Sequence, residues 1–140
     1  MSFQNLNKMV KTLKRYVSSR SINLQIVPQS IQNILLRNYC IENNFELALS
    51  ATEYSPDKSF LMLEQTINEI KNYDGIISYS IFQLPQNNNY RTQLLNKLIT
   101  KKKIFYFVLE KISFESKSDF KYLNQILKIN QLLPNCIKKI

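Results

Sequence analysis

The stretch DGIISYSIFQLPQ, residues 74–86, begins as one kind of structure and ends as another. From Gly75 to Ile81 it is apolar on both sides of the backbone, which suits a strand buried on both faces. At Phe82-Gln83-Leu84-Pro85-Gln86 it breaks into a polar run, and Pro85 cannot continue an inner strand. A strand buried on both faces needs neighbours on either side and helices above and below. The rest of the chain supplies both.

Three further short apolar runs read as strands: RYVSS (15–19), ELALS (46–50) and IFYFVLE (104–110). Four helical patterns alternate with them. Residues 28–44 form the first, with Pro28 suited to its first turn and Ile31, Ile34, Leu35 and Ile41 on one face, widened by Tyr39. The second starts at Ser55-Pro56 or at Ser59 and carries the stripe Phe60, Leu63, Ile67 and Ile70. The third spans 87–103 with Tyr90, Leu94 and Leu98 in line. The fourth runs from about Asp119 to Leu133, where Pro134 is expected to stop it. Strict alternation of strand and helix predicts right-handed crossovers and a parallel sheet. The expected fold is a single α/β domain over residues 14–140, with a four-stranded, mostly parallel sheet, helices on both faces and an arm at 1–13.

Composition excludes several chemistries. With 140 residues and 44% hydrophobic content the chain can bury a real core. It has no histidine, which removes histidine-based triads and metal sites, and a single glycine, Gly75, which removes glycine-rich phosphate loops. No cofactor and no metal is expected. Cys40 and Cys136 form no ligand or redox spacing and read as reduced thiols. No apolar run reaches the ~20 residues of a membrane helix, and the N-terminus lacks the apolar core of a signal peptide; a cytoplasmic protein with no membrane insertion is expected. The net charge of +9 is uneven. Lys8, Lys11, Lys14, Arg15 and Arg20 open the chain without an acid, and Lys101–Lys103 form a second cluster. Residues 42–74 are acidic. Such an excess either attracts phosphate-bearing ligands or reflects an AT-rich coding sequence.

In parallel α/β folds functional groups gather at the carboxyl ends of the strands. That rule selects Ser18 and Arg20 after the first strand, Glu53 and Tyr54 after the second, Gln83 after the third, and the loop from Glu110 onward after the fourth. Gln29 and Gln32 lie on the first turns of the first helix, where anions are favoured, and Glu64 reaches in from beside the stripe of the second. Ser18 and Glu53 are the candidate catalytic residues. Arg20, Gln29, Tyr54, Glu64 and Gln83 are the candidate ligand contacts. Ser18 reads either as a nucleophile or ligand contact or as a turn hydroxyl, and any activator must be Glu, Lys or Tyr.

The segments YVSSR, VPQSIQNILLRNYC, LSATEY, LMLEQTINEI, DGIISYSIFQLP and LPNC, in that order, resemble the sporadic carbohydrate cluster protein family. This implies a role in bacterial surface-polysaccharide biosynthesis, with a nucleotide sugar or sugar phosphate as the ligand. More distantly, YVSSR and YDGIISYSIFQLPQ resemble the catalytic domain of serine recombinases, the resolvases and invertases, and imply a resolvase-like or flavodoxin-like three-layer fold. Carried over by position, Ser18 falls on the nucleophile and Tyr16 on an arginine. Phe82 falls on the motif's aspartate, and Gln83 and Gln86 on its two arginines. Attack on a phosphodiester builds negative charge that guanidinium groups stabilise, and no arginine stands at these positions. DNA strand exchange and sequence-specific nucleic-acid binding are therefore not expected. The alternative to a carbohydrate role is a non-catalytic interaction module derived from such a domain, or a DNA-binding remnant of one. A homodimer is expected through the final helix, whose apolar residues Phe120, Tyr122, Leu123, Ile126, Leu127, Ile129 and Leu133 spread wider than one sheet-facing stripe requires.

Overall fold

The computed structural model describes residues 10–19, 21–22, 25–53 and 60–138. Its elements run β1 (Thr12–Ser18), α1 (Gln29–Glu42), β2 (Glu46–Glu53), α2 (Leu61–Asn68), β3 (Gly75–Ser78), α3 (Asn88–Thr100), β4 (Ile104–Phe107), β5 (Ile112–Phe114) and α4 (Asp119–Lys138). The sheet has five strands in the order β2-β1-β3-β4-β5. The first four are parallel, as the alternation predicts. The fifth is a correction: β5 pairs antiparallel with β4, so the sheet is mixed. Its turn places Lys111 at φ 56°, a left-handed conformation usually signalled by glycine or asparagine, and the sequence offers only lysine there.

The sheet separates two apolar clusters. On one face Leu13, Val17 and Ile77 meet Leu36 and Cys40 of α1. On the other, Tyr16, Ala51, Ile76, Phe105 and Phe107 meet residues of α2, α3 and α4, among them Leu63, Ile67, Leu94, Leu98 and Leu123. The alternation of side chains along β1 sends Leu13 and Val17 one way and Tyr16 the other. Gly75, the sole glycine, opens β3 where a Cβ would stand 2.1 Å from the backbone oxygen of Ile104. The close approach of two backbones, not a turn, requires it.

Other differences from the sequence reading have physical causes. The inner face of α1 is Gln32, Leu36 and Cys40, not the isoleucine stripe. Ile31, Ile34 and Ile41 are 45%, 50% and 71% exposed, because the helix turns an amide toward the sheet to complete a polar network. β1 starts at Thr12, inside the stretch assigned to the arm, and β3 ends at Ser78, before Ile81. α4 runs through Pro134 to Lys138, so that proline removes one backbone donor without ending the helix. No helix among the described residues is long and apolar enough to cross a membrane. Burial pushes the Cys40 thiol up to about 11, against a smaller opposite pull from Arg15.

Candidate functional site

The carboxyl ends of β1 and β3 meet in a buried polar network. After β3 the chain makes a short 3₁₀ turn, Ile81–Gln83, closed by a reciprocal cap. The Phe82 N–H donates to Ser80 Oγ at 3.2 Å, and the Ser80 N–H donates to Gln83 Oε1 at 3.0 Å. This fold-back turns the Gln83 amide toward β1. There Gln83 Nε2 donates to Ser18 Oγ at 3.2 Å and to Gln32 Oε1 at 2.9 Å. Gln32 Nε2 in turn donates to the backbone oxygens of Ser18 at 2.9 Å and Val27 at 2.8 Å. Ser18 is 0% and Gln83 2% exposed.

The same turn is anchored from the far side. Ser80 Oγ donates to Glu110 Oε2 at 2.7 Å and the Ile81 N–H donates to Glu110 Oε1 at 2.8 Å. Burial raises the Glu110 carboxyl above its ordinary value, and these two hydrogen bonds oppose the shift. Serine, amide, serine and carboxylate thus form one chain from Ser18 to Glu110. Among the described residues the Ser18 hydroxyl accepts from an amide N–H, a group that donates and cannot take up its proton.

Glu53 has a different task. Its Oε1 accepts from the backbone N–H groups of Met62 at 2.8 Å and Leu63 at 3.1 Å, and from Tyr16 Oη at 3.5 Å. A carboxylate on the first turn of α2 satisfies orphan helix donors and complements the helix dipole. The backbone oxygen of Glu53 also accepts from the Ser19 N–H at 3.0 Å, tying β1 to β2 beyond their last rung. The Glu64 carboxylate accepts from Tyr90 Oη and links α2 to α3. Gln29 is half-buried at the start of α1. Arg20 and Tyr54 lie outside the described residues. The structure thus brings together Ser18 and Gln83, and leaves Glu53 and Glu64 in separate hydrogen-bonded groups.

Gln32, on the first turns of α1, and Glu110, at the end of the fourth apolar run, stand where the sequence reading places functional groups, although neither is named there as a ligand contact. The participant that escapes that reading is an arginine. Arg91 of α3 is 6% exposed. Its Nη1 donates to the backbone oxygens of Pro85 at 2.9 Å and Gln86 at 3.2 Å, and its Nη2 to Asn88 Oδ1 at 3.0 Å and Asn124 Oδ1 at 3.2 Å. It holds the QLPQ segment against α3 and α4. Its spacing with Leu94, Leu95 and Leu98 was the available signal.

No family model and no curated protein matches the chain. Among solved structures it is similar to the N-terminal catalytic domain of TP901-1 integrase, with a TM-score of 0.62 and 18% sequence identity, over 88% of this chain and 98% of that one. The class defined is a fold: an α/β domain resembling a recombinase catalytic domain.

Proposed function

We infer that the protein is a non-catalytic interaction module on the scaffold of a recombinase catalytic domain. One observation carries this reading: Ser18, at the position matched to the nucleophile, is fully buried and hydrogen-bonded by Gln83, where the recombinase motif has arginine. A nucleophile needs a base within reach and cationic donors around the developing charge. Here the neighbouring groups Gln83 and Gln32 are neutral amides with partners of their own.

The interaction half of the reading draws on exposed apolar side chains. Ile31, Ile34 and Ile41 stand out from α1, and Tyr122 and Ile129 are 56% and 58% exposed on α4. Contiguous apolar patches mark association surfaces, and the partner we assign is a second copy of the chain. Light scattering at high micromolar concentration is expected to give a dimer. Ile129→Glu should return it to monomer, and Ser18→Ala should leave it dimeric. A monomeric parent protein would overturn the reading.

A role in surface-carbohydrate biosynthesis, with a nucleotide sugar or sugar phosphate as ligand, is the second reading and rests on the ordered sequence segments alone. Basic charge favours a phosphate-bearing ligand, and a DNA-binding remnant would share that attraction without base-specific contacts.

A further inference from the structure

Away from the Ser18 network lies a cleft of about 360 Å³ between the sheet and α2. Lys14 of β1 and Ser50 of β2 contribute from the sheet, and Gln65, Thr66 and Glu69 from α2 and its C-terminal cap. Tyr73, just before β3, also lines it. Lys14 is four residues before Ser18 on the same strand, about 13 Å along it at ~3.3 Å per residue. The cleft is therefore distinct from the network at the strand ends.

Lys14 is the unusual member. It is half-buried, its Nζ stands 5.4 Å from the centroid of the Tyr73 ring, and among the described residues no carboxylate pairs with it. Taking an ammonium out of water is costly, and a ring face offsets only part of that cost. An anion in the cleft would supply the missing partner. Glu69 lines the same space, and its carboxylate accepts from Gln65 Nε2 at 3.4 Å, which leaves further acceptor capacity. A metabolite site falls in the range of roughly 300–1,000 Å³, and this cleft meets its lower end.

We propose that the cleft binds a small organic anion by both ends. Its carboxylate or phosphate pairs with Lys14, and a hydroxyl or ammonium group at the other end donates to Glu69. The Gln65 amide and the Tyr73 ring hold the body between them. The proposal is independent of the interaction reading, because none of these residues belongs to the Ser18 network or to the exposed stripes.

The test is a titration of ¹⁵N-labelled protein followed by NMR, with glycerol 3-phosphate and glutamate as the two anion chemistries, inorganic phosphate as a one-ended anion and glycerol as the uncharged control. At least one two-ended anion is expected to shift the amide signals of Lys14, Thr66 and Tyr73 with a Kd below about 1 mM. Lys14→Met should weaken that binding about tenfold or more, and Glu69→Gln should reduce the preference over inorganic phosphate. The amide spectra of both variants report whether they remain folded. Neither probe shifting these signals, inorganic phosphate binding as tightly as the better of the two two-ended anions, or unchanged affinity in Lys14→Met would overturn the proposal.

Discussion

The amide of Gln83 has three partners, the Ser80 N–H, Ser18 Oγ and Gln32 Oε1, all at 3.2 Å or less. Each is buried, so truncation leaves unsatisfied groups where water does not reach. Gln83→Ala should lower stability by about 1–3 kcal/mol in urea unfolding, whereas a solvent-facing glutamine would change it by less than ~0.5 kcal/mol. Glu110 gives a pH-dependent counterpart. Its carboxyl is raised in the folded state above the ordinary 4.5, chiefly by burial. The folded state then holds the proton more tightly than the unfolded state. Stability from this group is full below the unfolded value and is lost as pH rises through the raised folded one. Glu110→Gln should remove that component: the stability difference between parent and variant should shift in the variant's favour as pH rises from about 4 toward neutral. A difference constant across that window would mean that Glu110 does not titrate above its ordinary value.

At the scale of the elements, the parallel βαβ order was legible because each of the first four strands is a short apolar run bounded by a helical pattern. What was not legible was direction within an element. The inner face of α1 carries Gln32 and Cys40, and its most apolar residues point outward, so a rule that puts isoleucine inside chose the wrong side. The candidate site shows the same split. Strand-end placement brought Ser18 and Gln83 to one place, but their burial depends on the 3₁₀ turn and on Gln32, which have weak sequence signals. Glu53 at a strand end reads as a site residue until the start of α2 is seen above it. Gly75 gives a sharp test of the strand pairing itself. A methyl group there meets the Ile104 carbonyl on the neighbouring strand, which cannot yield as a flexible side chain could. Gly75→Ala should cost about 1–3 kcal/mol or more of stability, measured by thermal or urea unfolding. A neutral outcome would contradict the β3–β4 register.

At the scale of the molecule, the fold is similar to that of the N-terminal catalytic domain of TP901-1 integrase at 18% identity. A scaffold of this kind is kept by apolar pattern and backbone pairing, which tolerate wide substitution, whereas chemistry depends on a few side chains at fixed points. Here Tyr16, which the sequence resemblance sets against an arginine, is fully buried and contacts Glu53. Gln83, set against another by the same resemblance, joins two strand ends. Arg91, the buried arginine of α3, holds the loop. Phosphodiester transfer would need Ser18 exposed, deprotonated and flanked by guanidinium groups. The most direct test is to incubate the protein with labelled duplex and nicked DNA, denature it, and look for a covalent protein–DNA species by gel and by peptide mass spectrometry. We expect no adduct, with Ser18 recovered unmodified. A phosphodiester between DNA and Ser18 would contradict the account.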